Sequence, residues 1–370
     1  MKVVVVAGAR PNFMKVAPLM HAIKRWNGYV AGNGQLEPVL VHTGQHYDVM
    51  MSAVFFRELG LPDPDVNLEV GSASHAKQTA AVMARFEDVC VERRPDWVVV
   101  VGDVNSTMAC TLVASKLSIR VAHVEAGLRS FDRTMPEEIN RLVTDALADL
   151  LLTPSADADE NLRREGISPI RILRVGNIMI DTLTANLDKA RACRTYRRFG
   201  VEPGRYVYVT LHRPSNVDDP KTLKSILENL LDLCRSFPVV FPMHPRSRKN
   251  AAAFGLPLNS AGSFHVVDPV GYHDSLCLAE NARFVITDSG GLQEETTYFR
   301  TPCLTLRPNT ERPITITEGS NRLTSPESLW ADIEDLLQKP LRFGRVPELW
   351  DGHTAERIVK ALVHHGHAAP

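Results

Sequence analysis

The stretch HVEAGLRSFDRTMPEEINR, residues 123–141, places a dense group of charged residues between an apolar run and a helical pattern. The apolar run, residues 119–124, predicts a strand that leads into this stretch. Pro136 is typical of the first turn of a helix, and residues 139–150 then repeat apolar side chains with the period of one helix face. The stretch therefore predicts a strand, a loop and a helix in that order.

The charged residues here fall into two groups. Glu138, Arg141 and Asp145 have the spacing of helical ion pairs, which predicts a solvated surface network. Glu125 and Glu137 stand instead at the ends of predicted elements. The carboxyl end of a strand is where an open α/β sheet presents its ligands. We therefore predict a surface network for the first three residues and a functional role for the other two.

Short β-branched runs alternate with helical patterns along the chain. The strand candidates of the first half are residues 3–6, 36–41, 97–101 and 121–124. Those of the second half are residues 206–211, 239–243, 264–267, 284–287 and 303–306. Continuous apolar runs of this kind are typical of parallel strands that are buried on both faces. Two series that separate near residue 174 predict two doubly wound α/β domains.

Composition sets wide limits on function. A chain of 370 residues with 44% hydrophobic content can bury a sizeable core, and a net charge of −1 gives no reason to expect nucleic acid or an anionic membrane as partner. The six cysteines show no CxxC pair and no metal-ligand spacing, which predicts reduced thiols and a cytoplasmic protein. The apolar start, residues 3–9, is too short for a signal peptide, and no run approaches the ~18 apolar residues of a membrane span.

A second candidate site follows the strand at residues 284–287. The turn DSGG, residues 288–291, leads from this strand into a helical pattern. A helix start after such a turn offers backbone N–H groups and a positive dipole end, which suits a diphosphate, and Gly290 and Gly291 permit close approach. The alternative is an ordinary turn in which Ser289 caps the helix. The chain has neither GxGxxG after its first strand nor GxxxxGK[ST], so it lacks a dinucleotide fingerprint and a P-loop.

Together these motifs resemble those of the non-hydrolysing UDP-N-acetylglucosamine 2-epimerases, which carry HVEAGLRS followed by PEE and NR. Further matches occur in family order: GARP at residues 8–11 with Lys15, TGQHYD at 43–48, GDVNST at 102–107, VGN at 175–177, LHRP at 211–214, DSGGLQEE at 288–295 and TERP at 310–313. Each motif is short, but they extend from residue 3 to about residue 323. The resemblance therefore covers the whole chain.

The resemblance implies a glycosyltransferase-B-like fold, in which two Rossmann-like domains face a cleft that binds a nucleotide-sugar. Residues 1–173 would form the domain with the catalytic carboxylates, joined by a C-terminal helix at about residues 355–370. Residues 174–354 would form the UDP-binding domain. The resemblance further implies a cytoplasmic homodimer that takes a UDP-sugar, uses no cofactor or metal, and binds neither nucleic acid nor a membrane.

The family's catalytic positions match four residues here: Asp103, Glu125, Glu137 and His212. By resemblance, the three carboxylates exchange the C2 proton, and the histidine stabilises or protonates the departing phosphate. The implied substrate-binding residues are Arg10, Lys15, Arg129, Ser289, Gly290, Gly291, Glu295 and Arg312. The serine and glycines would contact the diphosphate, Glu295 the ribose hydroxyls, and Arg10 and Arg312 would supply positive charge. Lys15 and Arg129 would be electrostatic partners of the carboxylates or the ligand.

The predicted reaction is reversible C2 epimerisation of UDP-N-acetylglucosamine to UDP-N-acetylmannosamine. The C2–H bond of this sugar is not flanked by a carbonyl, and the chain lacks a dinucleotide fingerprint that would create one transiently. Elimination supplies another route, because loss of UDP and the C2 proton gives 2-acetamidoglucal, to which UDP then adds back. This route needs acid/base groups on both faces of C2 and charge stabilisation for the leaving diphosphate.

Several positions depart from the family's motifs. Family glutamates are replaced at Asn12, Ser215 and Ile314, none of which is a catalytic position. Ser275 stands where some members place an aromatic ring against uracil. Many bacterial members also bind a second substrate molecule as activator. Gln45 matches one residue of that site, whereas Asp48 replaces another glutamine, so dependence on an activator stays open.

Three other activities share parts of this pattern. Relatives with GARPxFxK and TGQHYD include 2-epimerases of UDP-2,3-diacetamido-glucuronic acid, so the C3 and C6 substituents of the sugar stay open. A hydrolysing 2-epimerase would release UDP irreversibly. A glycosyltransferase would share the fold and the diphosphate turn but would not need three carboxylates around C2. The last alternative is a protein that binds a nucleotide-sugar without catalysing a reaction.

Overall fold

The computed structural model describes residues 1–44, 60–256, 258, 262–340 and 342–366, without the side chains of Arg10 and Asn33. The chain divides into two compact units: unit 1 comprises Met1–Thr182 and Glu348–Pro370, and unit 2 comprises Leu183–Pro347. The division falls within the helix Ile178–Cys193, whereas the sequence placed it before this helix, near residue 174. At the end of the part of this helix that belongs to unit 1, the Thr182 hydroxyl donates a hydrogen bond to the Met14 carbonyl.

Unit 1 contains a parallel sheet of seven strands in the order β3-β2-β1-β4-β5-β6-β7. Its strands are β1 Lys2–Ala7, β2 Glu37–His42, β3 Val66–Asn67, β4 Trp97–Val101, β5 Arg120–Val124, β6 Leu150–Thr153 and β7 Ile172–Arg174. Its helices are α1 Arg10–Tyr29, α2 His75–Arg93, α3 Asn105–Lys116, α4 Pro136–Leu147, α5 Ala156–Arg164, the start of α6 Ile178–Cys193, and the C-terminal helix Thr354–Gly366.

The C-terminal helix belongs to unit 1 and packs against α1. Its first turn is fixed by Asp181 of α6, whose carboxylate accepts hydrogen bonds from the N–H groups of Thr354 and Ala355 at 3.0 and 2.7 Å. A carboxylate at a helix N-terminus satisfies donors that have no partner within the helix. This contact ties the end of the described chain to the first domain.

Unit 2 contains a parallel sheet of six strands in the order β10-β9-β8-β11-β12-β13. Its strands are β8 Val207–Thr210, β9 Val239–Pro242, β10 Phe264–Val267, β11 Phe284–Thr287, β12 Cys303–Leu306 and β13 Asn321–Thr324. Its further helices are α7 Pro214–Val217, α8 Pro220–Leu233, α9 Pro245–Ala253, α10 Tyr272–Asn281, α11 Gly290–Phe299, α12 Ile314–Thr317 and α13 Leu329–Leu337. The C-terminal helix of unit 1 is therefore α14.

The predicted apolar runs form the central strands of both sheets. In β4, Trp97–Val101, every residue is at most 2% exposed, as expected of a parallel strand covered on both faces. The strands β3, β6, β7 and β13 were not predicted. Residue Leu150 was assigned to the apolar face of α4, and this was wrong, because α4 ends at Leu147 and Leu150 begins β6. The Asp149 carboxylate marks the break, since it accepts the N–H of Val121 at 2.8 Å.

Each sheet reverses its strand order beside its first strand. In unit 1, β1 lies between β2 and β4, and in unit 2, β8 lies between β9 and β11. Open α/β sheets bind ligands at the carboxyl ends of strands beside such a reversal. The loops after β1, β4 and β5, and those after β8 and β11, are therefore the candidate sites. Within the part of the chain that the structure describes, no helix combines the length and apolarity needed to cross a membrane.

Candidate active site

Glu125 and Lys15 form a buried ion pair at the carboxyl edge of the unit 1 sheet. Glu125 directly follows β5 in a left-handed conformation, with φ of 72°, and its N–H donates to the Leu152 carbonyl at 3.1 Å. Lys15 of α1 donates its ammonium to Oε2 of Glu125, and the two residues are only 7% and 5% exposed. A Cβ at Gly102, after β4, would lie 2.8 Å from the Lys15 Nζ and 3.7 Å from Oε2 of Glu125. The loops after β4 and β5 therefore meet at this ion pair.

The second carboxylate oxygen of Glu125 has a different environment. Oε1 is buried and has no hydrogen-bond partner among the described residues. A buried acceptor without a hydrogen-bond partner destabilises the folded state by about 1–3 kcal/mol. Such atoms are therefore rare in native proteins, and a functional role is one explanation for them. This oxygen can accept a proton or a hydrogen bond from a bound substrate.

Asp103 follows Gly102 at the end of β4 and is held by helix α4. Both Nε and Nη2 of Arg141 donate to its Oδ2, at 3.0 and 2.7 Å, and the Asn140 amide donates to its carbonyl at 2.9 Å. The side chain of Asp103 is 29% exposed, so its carboxylate is both oriented and accessible. Arg141 also donates from Nη1 to Glu138 at 2.6 Å.

The prediction of a solvated surface network on α4 was wrong. Glu138 and Arg141 are each 2% exposed, and Asp145 is fully buried. Glu138 accepts the N–H groups of Ser130 and Phe131, both at 3.0 Å, so the loop after β5 folds over this helix face. Helical spacing brings ion pairs together equally well on a buried face and on a solvated one. The pattern alone therefore could not separate the two cases.

Arg129 belongs to this buried network. Its guanidinium donates to Asp145 at 2.7 Å and to both oxygens of Glu165 at 2.7 and 2.6 Å. Burial alone would raise the pKa of Asp145, but His123 and Arg129 hold that pKa below its ordinary value. The Nη1 of Arg129 also donates to the Leu128 carbonyl at 2.8 Å. A role of Arg129 beside the catalytic carboxylates or the ligand stays a prediction.

Glu137 lies in the first turn of α4, one residue before the buried Glu138, and its side chain is exposed. The same helix holds Asp103 through Asn140 and Arg141. The carboxylate of Glu137 is thus accessible on the element that positions a second candidate acid. Unit 1 therefore contains all three predicted carboxylates on loops and a helix that contact one another.

His212 and Asp288 form a hydrogen-bonded pair at the carboxyl edge of the unit 2 sheet. They follow β8 and β11, which are neighbouring strands. Nδ1 of His212 donates to Oδ1 of the buried Asp288 at 2.8 Å, while the imidazole is about half exposed. Asp288 also accepts the N–H of Arg213 at 2.8 Å and the Asn216 amide at 3.1 Å. Although burial opposes ionisation, these partners lower the pKa of Asp288. Because Nδ1 of His212 faces Asp288, Nε2 is the ring nitrogen that a ligand would contact.

The diphosphate turn, residues 288–291, leads from Asp288 through Ser289 into the start of α11. Ser289 is the N-cap of α11 but makes no capping hydrogen bond through its side chain, and its own N–H donates to Oγ1 of Thr287 at 3.0 Å. A Cβ at Gly291 would meet no atom within 4 Å, whereas one at Gly290 would lie 3.1 Å from Nη1 of Arg312. The structure therefore does not show the side-chain capping hydrogen bond that the alternative requires. The backbone at Gly291 borders open space.

Arg312 lies beside this turn, where its charge is shared with two acids. Its Nε donates to Glu294 at 2.7 Å, and its Nη1 donates to Glu311. Burial and the neighbouring Glu294 raise the pKa of Glu295 to about 8, although the nearby Tyr272 hydroxyl acts in the opposite direction. Glu295, the residue assigned to the ribose, is therefore harder to ionise than an ordinary glutamate.

Other predicted positions have simpler environments. Ser275 shares a hydrogen bond of 2.9 Å with the Tyr208 hydroxyl and offers no aromatic ring. Asn12 closes the turn after β1, because its carboxamide accepts the N–H groups of Gly8 and Ala9. Gln45, Asp48 and the side chain of Arg10 lie outside the described residues. Among the described residues, no group of histidine, cysteine and acidic side chains could hold a metal ion.

Sequence reasoning missed the partners of the catalytic candidates. Asp288 was quoted only as part of the diphosphate turn, and His123 and Asp145 had no site role. The signal for Asp288 was present in the sequence. Asp288 directly follows one strand and His212 lies two residues after another, and a doubly wound sheet places these strands side by side. No comparable signal joins His123 to Asp145.

The profile of the UDP-N-acetylglucosamine 2-epimerase family matches residues 30–363 of this chain. The chain belongs to this family. A 2-epimerase of this type from Methanocaldococcus jannaschii is 40% identical over 98% of this chain, and its structure in complex with UDP-GlcNAc and UDP covers 98% of this chain and 100% of its own, with a TM-score of 0.86. The UDP-2,3-diacetamido-2,3-dideoxy-D-glucuronate 2-epimerase of Pseudomonas aeruginosa is also 40% identical, over 87% of this chain and 88% of its own length.

The family assignment confirms the resemblance, and the two parallel α/β units confirm the fold class. A glycosyltransferase from Streptomyces nogalater, 15% identical, has a similar fold with a TM-score of 0.52, covering 100% of this chain and 96% of its own. That likeness concerns the fold alone. Membership of an epimerase family makes the chain an isomerase by class.

Proposed function

We propose that this epimerase-family protein interconverts UDP-N-acetylglucosamine and UDP-N-acetylmannosamine by elimination and re-addition of UDP, without hydrolysis. The observation that carries the proposal is the Lys15–Glu125 pair, with one carboxylate oxygen left without a partner beside the turn that bears Asp103. A family of 2-epimerases needs acid/base groups of this kind at C2. The activity of the M. jannaschii relative supports the same substrate.

The unit 1 carboxylates would move the C2 proton. In the first step a carboxylate takes this proton, the C–H electrons form the C1–C2 double bond, and the C1–O bond breaks with UDP as leaving group. In the second step UDP reforms the C1–O bond, and C2 receives a proton on its other face. We assign the two proton transfers to Asp103, Glu125 and Glu137 collectively. Water-excluded carboxylates such as Glu125 suit this task, because acid/base groups act best when positioned and partly desolvated.

The unit 2 residues would hold and activate the nucleotide. The N–H groups at the start of α11 and the side chain of Ser289 suit the diphosphate, and Arg312 would add positive charge, as would Arg10 of unit 1. Nε2 of His212 would stabilise or protonate the leaving phosphate, with Asp288 supporting its positive charge. Glu295 would accept hydrogen bonds from the ribose hydroxyls. By family resemblance we extend the proposal to a cytoplasmic homodimer whose product enters polysaccharide synthesis.

The second candidate substrate is UDP-2,3-diacetamido-2,3-dideoxy-D-glucuronate. The P. aeruginosa enzyme named for this substrate is as identical to the chain as the M. jannaschii enzyme is, although the match covers less of the chain. The two substrates differ at C3 and C6, and the proposed chemistry at C1 and C2 is the same for both. The choice therefore concerns specificity and not mechanism.

An epimerisation assay without a glycosyl acceptor and without added NAD tests this proposal. Purified protein should convert UDP-N-acetylglucosamine to its 2-epimer while UDP stays attached, and kcat/KM should exceed that for the diacetamido-glucuronate. Stoichiometric free UDP would establish a hydrolysing enzyme, and inactivity toward both sugars would contradict the proposal. Asp103→Asn, Glu125→Gln and Glu137→Gln should each reduce turnover by about a hundredfold or more while UDP binding persists. Near-normal turnover in one of them would remove that residue from the site.

A further inference from the structure

A continuous chain of charged groups, buried except at Glu165, runs behind the unit 1 carboxylates. Glu165 pairs with Arg129, which donates to Oδ2 of Asp145 at 2.7 Å. Oδ1 of Asp145 lies 2.6 Å from Nδ1 of His123, and Nε2 of His123 lies 2.8 Å from the carbonyl oxygen of Gly102. The peptide group of that carbonyl leads directly to Asp103. The proposed reaction uses none of the groups between Glu165 and His123.

Both ring nitrogens of His123 face hydrogen-bond acceptors. A neutral imidazole has one N–H group and one lone pair, so a neutral ring would set a lone pair against either the carboxylate or the carbonyl oxygen. The ring is completely buried, so water cannot relieve that contact. Two N–H groups satisfy both neighbours at once, and the positive charge of such a ring is balanced by the adjacent carboxylate of Asp145.

We infer that His123 is a doubly protonated imidazolium, and that with Asp145 it clamps the loops that carry the catalytic carboxylates. This role rests on the proposed function. His123 is fully buried and is argued to act through the loops that it holds, so it is a positioning residue. Its proton at Nε2 fixes the peptide before Asp103, and its proton at Nδ1 orients Asp145.

Asp145 extends the clamp to the other two carboxylates. Its Oδ2 accepts the N–H of Gly127 at 3.0 Å, two residues after Glu125, and so fixes the turn that holds Glu125 in its left-handed conformation. Asp145 itself lies on α4, whose first turn carries Glu137. The carboxylate of Asp145 and the imidazolium of His123 therefore join the loops after β4 and β5 to helix α4.

The charge balance favours the same protonation state. Buried charges are tolerated when they are paired and hydrogen-bonded. With a cationic His123, the two cations of the chain, at His123 and Arg129, match the two anions, at Asp145 and Glu165. A neutral His123 would leave an excess negative charge in a region that is closed to water on all but the Glu165 side.

The protonation state can be measured without any substrate. In protein labelled with 15N only at its 13 histidines, the His123 ring should show two protonated nitrogens at neutral pH. The signal is assigned by its loss in His123→Gln or, if that variant does not fold, in His123→Asn. A ring with one unprotonated nitrogen would overturn the inference. This outcome is independent of whether the protein epimerises UDP-N-acetylglucosamine.

The positioning role is tested by kinetics. Folded His123→Gln should lose kcat by about ten- to a hundredfold with little change in KM or UDP affinity, because small displacements of reacting groups have effects of this size. The matched control is Arg174→Gln, which breaks an ion pair with Asp159 elsewhere in unit 1 and should leave kcat unchanged. An unchanged kcat in His123→Gln, or an equal loss in both variants, would overturn the role. If the wild-type protein lacks epimerase activity, the proposed function fails while the 15N result stands.

Discussion

Replacement of Asp288 by asparagine tests whether the His212–Asp288 pair serves the leaving phosphate. Asp288 accepts four kinds of donor: the imidazole of His212, the N–H groups of His212 and Arg213, and the side-chain amide of Asn216. Asparagine keeps the size and one acceptor oxygen, so the backbone contacts can persist while its amide group turns toward the imidazole. His212 would then accept at Nδ1 and carry a proton at Nε2 without a carboxylate to support a positive charge.

The expected loss follows from the hydrogen bond that is exchanged. A hydrogen bond to a charged group contributes about 1.5–3 kcal/mol, and each 1.4 kcal/mol is a factor of ten in rate. If the bond is strongest when the phosphate departs, kcat should fall by about ten- to a hundred-and-fifty-fold. UDP affinity should change much less, because the start of α11 and Glu295 are untouched.

The assay is steady-state epimerisation together with UDP titration calorimetry on the same preparation. The matched control is Asp218→Asn, which removes a partly exposed carboxylate that pairs with Arg246 in the same unit and should leave kcat near normal. An Asp288→Asn protein that is folded, binds UDP and keeps wild-type kcat would refute the role assigned to the pair.

Two further predictions concern buried charges. Lys15→Met leaves Glu125 buried without its cation, so the free energy of unfolding in urea should fall by about 3–5 kcal/mol. The double variant with Glu125→Gln should recover part of this loss. A loss below about 1 kcal/mol in Lys15→Met would contradict the ion pair. For Glu295, burial raises the pKa from 4.5 to about 8, so its contribution to stability should be complete below about pH 4.5 and lost as the pH rises through about 8. Glu295→Gln should remove that part of the pH dependence in urea unfolding, and an identical slope in both proteins would contradict the shift.

The fold followed from sequence where burial produced an unmistakable pattern. Trp97–Val101 is a continuous apolar run, and such a run has few alternatives to a buried parallel strand. Leu150 shows the limit, because β6 begins so soon after α4 that its first residue continues the apolar period of the helix. Only the contact between Asp149 and the backbone of Val121 separates the two elements.

The site was predictable as a set of strand-end residues but not as a network. His123 and Asp145 lie on different elements, and no spacing rule relates a strand residue to a particular turn of the next helix. The burial of Glu138 depends on the loop at Ser130 folding back over α4, which local patterns do not encode. The sequence therefore predicted candidate residues for the site, whereas the partners of those residues required coordinates.

The most direct test of the elimination route is the fate of hydrogen at C2. We expect incubation of UDP-N-acetylglucosamine with the protein in D2O, without NAD, to place deuterium at C2 of the 2-epimer, because the returning proton comes from a carboxylate that exchanges with solvent. The product should remain mostly attached to UDP, with small amounts of UDP and 2-acetamidoglucal released. Retention of the original hydrogen at C2 of the product would contradict elimination and re-addition.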